Sequence, residues 1–405
     1  MKNIMITAVC TLVLCTSSLL KAQTFINYTT TDGLPDNFIV GGVAVDTNNN
    51  KWFGTAAGVA KFDNTNWTVY NTTNGLIDNY TTCIAVDNNN NVWVGTNLGV
   101  SKFNGTTWTN YTTTDGLIDD AVVYIAGATD GSVWFATSVG ISKLSGTTWT
   151  NYTTANGLAT DVIDYIAMDP SGNKWFGTQM QGFSIYDNST FTNVSTTVID
   201  SLLDNNVFAI AVDKLGQKWI GTWYGITKLN NANNWAKNYR YTDGLYNNYV
   251  RDIKVDSNNN IWVGVFADYN LDGAISSFDG THWVSYTIAD GLADKQVIRL
   301  AIDKYNDVWI ATGNGVSKLS NSVGINTNSS DEFSVYPNPA TDVLTIKHKS
   351  MYAKASIFDL SGKLITKYEL TNMTTQLDIG EINPGMYILQ ITDNNNTYAT
   401  KLVIH

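Results

Sequence analysis

The chain has 405 residues, with 24 Lys plus Arg against 35 Asp plus Glu for a net charge of -11, and 43% of its residues are hydrophobic. That length is ample for a large buried core. The acidic balance, unbroken by any Lys or Arg cluster, repels nucleic acid and anionic membranes and excludes them as expected partners.

Residues 1–22 read as a secretion signal: Lys2 supplies the positive start, Ile4 to Leu20 an apolar run, and Ala22 the small residue ahead of a cut before Gln23. A membrane anchor is the alternative, but the run contains several Thr and Ser residues and is short for a bilayer span. A lipoprotein reading through Cys15 meets Leu14 where a small residue is wanted. No later apolar run approaches membrane length, so no membrane insertion is expected. Removing the leader takes Cys10 and Cys15 with it and leaves Cys83, so no intramolecular disulfide can form. Cys83 then reads as a small buried hydrophobe.

Residues 23–320 are repetitive. A tryptophan returns as Trp52, Trp93, Trp134, Trp175, Trp219, Trp262 and Trp309, at intervals of 41, 41, 41, 44, 43 and 47 residues. Each unit holds four short apolar stretches punctuated by Asn and Gly turns, and nothing in it reads as a helix. A period in the low forties with strand patterning is that of a four-stranded propeller blade. The seventh unit lacks its outer strand, while Phe25-Ile26-Asn27-Tyr28 supplies that pattern at the start, and residues 27–34 are identical to residues 110–117. The expected fold is therefore all-β, a seven-bladed β-propeller closed by N-terminal strand exchange, which removes free sheet edges.

Within residues 23–320 there are 27 Asp, no Glu and 16 Lys plus Arg. Asp46, Asp87, Asp169, Asp213, Asp256 and Asp303 share one repeat position at an Asn-rich turn, where an Asx-turn role is expected rather than catalysis. The Gly-Leu pairs Gly75-Leu76, Gly116-Leu117 and Gly244-Leu245 are expected to turn the chain and plug Leu between blades.

Differences between repeats point to one sector. After Gly-Thr the chain reads Ala56-Ala57, Asn97-Leu98 and Ser138-Val139 in the first three blades, but Trp223-Tyr224 in blade five. Blade six lengthens the same loop to include Phe266 and Tyr269, and the preceding loop adds Tyr246 and Tyr249, with Arg251 entering the inner strand. Rings with a planar cation and polar neighbours suit a sugar or a peptide, and loop packing is the alternative. In the same loop Asp268, Asn270, Asp272 and Gly273 match the start of a Ca2+ loop. The twelfth position, Asp279, follows a strand that carries it roughly 13 to 17 Å away at about 3.3 Å per residue, so a plain polar hairpin is the competing reading.

No catalytic residue is assigned. His282, the one histidine of the repeat region, stands beside Trp283 on an outer strand and reads as a surface residue. This departs from propeller lyases of the streptogramin type, which rely on a histidine and acidic centre. An Asp pair could still serve a glycosidase, since such pairs are recognised only by separation in space.

Residues 321–330 read as a linker, and residues 331–405 alternate short strands with turns in the manner of a small β-sandwich. Tyr336-Pro337-Asn338-Pro339, Gly362-Lys363, Asn383-Pro384-Gly385-Met386-Tyr387 and Lys401 to Ile404 resemble the sorting domain of the type IX secretion system of Bacteroidetes. That resemblance implies the secretion machinery as a partner and a secreted or outer-surface location. The repeat Trp-x-Gly-Thr-x-x-Gly-Val-x-Lys-Phe, with Asp-Gly-Leu between blades, resembles the two-component regulator propeller repeat, which implies extracellular ligand sensing. The expectation is an exported propeller that binds a glycan, with a protein-adhesion scaffold or an Asp-dependent glycan-cleaving enzyme as alternatives.

Overall fold

The computed structural model describes residues 25–198, 201–267, 272–320, 333–348, 353–359, 363–392 and 397–405. The expected leader (1–22) and linker (321–330) lie outside these residues. The chain divides into two compact units, Thr24–Asn321 and one that includes Ser322–His405.

In the first unit each repeat folds into one antiparallel four-stranded sheet whose strands neighbour one another in chain order. Blade two consists of Thr81–Val86, Val92–Thr96, Val100–Phe103 and Trp108–Tyr111. Six sheets follow this plan, and a seventh combines Val297–Ile302, Val308–Thr312 and Gly315–Leu319 with Phe25–Tyr28 from the other end of the chain. Every residue of the second strand Val92–Thr96 is buried, as its apolar run requires for a strand covered on both faces by neighbouring blades.

The repeat chemistry accounts for the turns. Asp87 Oδ1 accepts from the backbone N–H groups of Asn89 and Asn91, both at 2.9 Å, and Oδ2 accepts from Trp93 Nε1 at 2.8 Å. One carboxylate thus closes the Asn-rich turn and satisfies a buried indole N–H. Asp46, Asp169, Asp213, Asp256 and Asp303 each hold their own tryptophan in the same way, at 3.0 to 3.1 Å. Blade three has Ala128 at this position, and Ser132 Oγ takes over as the acceptor for Trp134 Nε1 at 3.0 Å. The strand opposite lays a lysine over the same ring: Lys61, Lys102, Lys143, Lys228 and Lys318 stand 4.6 to 5.6 Å from their tryptophan centroids.

The loops between blades differ from the sequence expectation in one respect, because several carry a single 3₁₀ turn. At Thr113–Asp115 the Asp115 carboxylate accepts from the Thr112 N–H at 2.8 Å, and Gly116 ends the turn at φ 121°. Leu117 then enters the core. Leu34, Leu76, Leu158, Leu202, Leu245 and Leu292 are buried at the equivalent points, as plugs between blades. Cys83 is buried in the same cluster as Leu117, and burial pushes its thiol up to about 12. An unfolded thiol titrates near 8.5, so this residue's contribution to stability is complete below that pH and is lost as the pH rises toward 12. A chain lacking residues 1–22 should leave Cys83 unmodified by a thiol-specific disulfide reagent at pH 8, and should release one equivalent in urea. Rapid native labelling would contradict the buried placement.

The second unit has two antiparallel sheets, one of Phe333–Tyr336, Val343–His348 and Thr374–Asp378, the other of Leu364–Leu370, Ala353–Phe358, Gly385–Thr392 and Thr397–Ile404. Leu344, Ile346 and Leu377 from the first pack with Ala355, Ile357, Leu389 and Leu402 from the second in one core.

Candidate functional site

Strand direction decides which loops share the rim. The Asn-rich turns follow the first strand of each blade, so the Gly-Thr-x-x-Gly turns and the inter-blade loops lie together at the opposite side. Backbone bonds join the two sets, from Ala56 N to Phe38 O at 3.1 Å, from Phe266 N to Tyr249 O at 2.8 Å and from Gly313 N to Gln296 O at 2.9 Å.

Between blades five and six this rim opens into a cavity of about 710 Å³ lined by Phe208, Trp223, Tyr249, Val250, Arg251, Phe266, Ala267, Lys295 and Gln296. The Trp223 ring, 46% exposed, stacks on Phe208 at 5.5 Å and 26° and stands 6.1 Å from Tyr249. Buried Asn247 ties the loops together, accepting from Tyr249 N and donating to Phe266 O, both at 3.2 Å. Of the residues singled out from the sequence, Trp223, Tyr249, Arg251 and Phe266 meet here. Tyr224 is 60% exposed and does not line the cavity. Tyr246 packs half-buried against the hydrophobic core instead of facing the rim. Tyr269, Asp268 and Asn270 lie outside the described residues. Asp272 is exposed and pairs with Lys295 at 3.2 Å.

A second cavity of about 390 Å³ occupies the mouth of the central channel and shares Phe208 and Arg251 with the first. Its lining follows from a backbone irregularity. In six blades the inner strand shifts register by one residue against its neighbour, between Thr81 and Cys83, Val122 and Tyr124, Ile163 and Tyr165, Val207 and Ala209, Val250 and Asp252, and Val297 and Arg299. The extra residue of each bulge is Thr82, Val123, Asp164, Phe208, Arg251 or Ile298, and all six line the mouth. A bulge re-aims one side chain, and here it does so in each of these six blades. Apolar alternation does not reveal this, although aligning the inner strands by their tryptophans would have set these positions side by side.

Deeper in the channel a network spans four blades. Asp252 is fully buried; its Oδ1 accepts from Lys254 Nζ at 2.8 Å, Ile253 N at 3.0 Å and Tyr165 Oη at 3.1 Å, and its Oδ2 accepts from Leu300 N at 2.8 Å. Burial lowers the Lys254 ammonium, but Asp252 and Tyr124 together leave it raised overall. Arg299 lies over the rings of Tyr124 and Tyr165, with its guanidinium carbon 5.4 and 5.9 Å from their centroids. Arg251 is lowered to about 10, first by the charge of Arg299 and then by burial. The Asp164 carboxyl is raised by burial, against the pull of Gln179, Arg251 and Arg299. Neither tyrosine, Asp252 nor Arg299 was singled out from the sequence, because they meet only across blades: Tyr165 and Asp252 are 87 residues apart.

His282 lies on an outer hairpin with its side chain 81% exposed, its ring nitrogen 2.9 Å from Thr281 Oγ1. Among the described residues no group of three or more His, Cys, Asp or Glu is placed to hold a metal ion. No described helix is long and apolar enough to cross a membrane.

Comparison with known proteins adds the family context. Residues 334–405 match the secretion system C-terminal sorting domain, and residues 75–98 and 245–267 match the two component regulator propeller. An endo-acting ulvan lyase of Formosa agariphila is 40% identical over 73 residues, which is 17% of this chain and 14% of the relative. The fold resembles the extracellular domain of the hybrid two component system BT3049 from B. thetaiotaomicron, with TM-score 0.65 and 19% identity over 94% of this chain and 57% of that one. It also resembles PorZ, a surface component of the type-IX secretion system of Porphyromonas gingivalis, with TM-score 0.60 and 19% identity over 92% of this chain and 60% of that one. The chain is thus a β-propeller, two segments of which match the two component regulator propeller, with a secretion system C-terminal sorting domain, exported to the cell surface or secreted.

Proposed function

We propose that the propeller binds an extracellular glycan in the cavity between blades five and six, without cleaving it, and that the sorting domain delivers it outside the cell. The observation that carries this reading is the convergence of Phe208, Trp223, Tyr249 and Phe266 around a volume of about 710 Å³, with Arg251, Lys295 and Gln296 as the polar groups. A cavity of that size takes several sugar rings or one short chain, and aromatic faces stack on the C–H faces of sugars while a few donors fix orientation. Binding without cleavage is favoured because the carboxylates here do not form an acid–base pair: Asp252 is committed to four hydrogen bonds, and among the described residues lining the mouth Asp164 is the single carboxylate.

The test is a glycan array followed by calorimetry with the full chain and with Trp223→Ala/Tyr249→Ala. Removing two stacking rings should weaken the best glycan at least roughly 30-fold, the equivalent of about 2 kcal/mol for a binding hot spot. Unchanged affinity in a normally folded variant would sink the site. Release of shortened oligosaccharides would favour the enzyme reading, and retention of a surface protein by both forms would favour the adhesion scaffold.

A further inference from the structure

We propose that the saccharide recognised at this site is an acidic one, whose carboxylate or sulfate ester is held at the channel mouth by Arg251 and Arg299 while its rings lie in the aromatic cavity. The proposal rests on the glycan reading and specifies its substrate class.

The first observation is where the arginines are. The chain contains three, Arg240, Arg251 and Arg299, among its 24 Lys plus Arg. Two of the three line the mouth. The repeat region around them is acidic, with 27 Asp and no Glu, and five of its lysines are used by the repeat itself, each over a core tryptophan. Arg251 and Arg299 belong to no such repeating arrangement. At the bulge position of Arg251 the other blades carry Thr82, Val123, Asp164, Phe208 and Ile298, so the fold does not call for a cation there.

The second observation is that the positive charge is only partly offset: Asp164 lines the same mouth and, with Asp252, acts on Arg251 through its charge, but two guanidiniums share it. Arg299 is fixed from below by Tyr124 and Tyr165, and its Nη1 donates to the Arg251 carbonyl at 3.2 Å and the Ile298 carbonyl at 3.3 Å. Among the described residues neither arginine forms a salt bridge, and the Arg251 guanidinium donates no hydrogen bond to protein. Asp252 is taken by Lys254, Tyr165 and two backbone N–H groups, and Asp164 receives a hydrogen bond from Gln179 at 3.3 Å. Two like charges side by side in a partly buried mouth are costly unless an anion joins them.

The third observation is the geometry of the two cavities, which share Phe208 and Arg251. A ligand stacked on Trp223 or Phe208 therefore has its substituents within reach of the Arg251 side. A planar guanidinium fork matches the two oxygens of a carboxylate or sulfate, which an ammonium does not.

The experiment is calorimetry of the full chain with tetragalacturonate, a sulfated κ-carrageenan tetrasaccharide and neutral galactotetraose, repeated with Arg251→Gln and Trp223→Ala. At least one acidic tetrasaccharide should bind tenfold or more tighter than the neutral one, and the first two arms separate carboxylate from sulfate. Arg251→Gln should remove that preference with a loss of about ten- to a hundredfold, the scale of one charge-assisted contact, whereas Trp223→Ala should weaken acidic and neutral sugars alike. Arg251 is the chosen variant because it holds no other side chain in place, and its melting temperature should stay within a few degrees of the parent. Equal affinity for acidic and neutral sugars, unaffected by Arg251→Gln, would overturn the acidic specificity and leave the glycan site standing. Binding of an acidic peptide with no saccharide bound at all would overturn both.

Discussion

Deleting Phe25–Tyr28 is expected to destabilise the propeller by at least about 5 kcal/mol, which is within the whole stability of many domains, and so to leave it largely unfolded. This strand pairs with Gly315–Leu319 through Phe25 and Leu319, Ile26 and Lys318, Asn27 and Ser317, and Tyr28 and Val316. Without it the last strand becomes an open edge. Tyr28 also joins blades, stacked on Trp309 at 5.7 Å and 15°, and set edge-on to Trp67 of blade one at 5.6 Å. Loss of a packed aromatic side chain alone costs about 3 kcal/mol or more.

Asn27 shows how fully the strand substitutes for a local one. Its Nδ2 donates to Gly291 O at 2.9 Å, and its Oδ1 accepts from Ser317 Oγ at 2.7 Å, while that hydroxyl accepts from Ala293 N at 2.8 Å. Asn110, Ser101, Gly75 and Ile77 form the same relay within consecutive repeats. Asn27→Ala should therefore cost about 1 to 3 kcal/mol, as the buried Ser317 hydroxyl loses its acceptor. Urea unfolding followed by tryptophan fluorescence measures both variants. Adding the peptide of residues 23–34 in excess should restore part of the midpoint of the deletion variant. An unchanged midpoint on deletion would show that the ring holds itself closed without strand exchange.

Asp252→Ala carries the second largest expected effect, about 3 to 5 kcal/mol at pH 7. It would leave the Leu300 N–H without its acceptor and the part-buried Lys254 ammonium without its carboxylate, with the Tyr165 hydroxyl still accepting from Lys254 at 3.1 Å, and a charge that loses its partner is costly. The pH dependence identifies the cause. In the parent, Asp252 raises Lys254, so the pair's contribution is complete below about 10.4, the unperturbed lysine value, and is lost as pH rises through the higher folded value. In Asp252→Ala the pull of Asp252 is gone while burial still lowers Lys254, so the variant sheds that charge more readily as pH rises. The destabilisation measured at pH 10 should then be smaller than at pH 7, and Asp252→Ala/Lys254→Met should recover part of the loss. A cost under 1 kcal/mol, or one independent of pH, would show that the network is not what holds these blades together.

Particular residues show how much of the molecule could be read in advance. The seven tryptophans and the misplaced Phe25-Tyr28 strand are periodic signals, and periodicity survives projection onto one dimension because each blade repeats the same local bonds. The variable residues Trp223, Tyr249 and Phe266 were legible for a related reason, since a departure from a repeat is visible against its copies. Tyr246 looked equivalent to Tyr249, but three residues before it in an irregular loop it packs half-buried against the core. The second oxygen of each turn Asp was also hidden, because its partner indole lies six residues on, across a hairpin.

The sequence by itself determined the repeat, the number of blades, the strand that closes the ring and the sorting domain, since all of these rest on local pattern and on copies that can be compared. Only the tertiary structure decided the channel. There the bulges turn one side chain in each of six blades toward a common mouth, and groups from blades three, four, six and seven, Tyr124, Tyr165, Asp252 and Arg299, meet across the axis. Their meeting depends on ring closure, which sums small rotations over seven sheets, and no local propensity in the chain records that sum.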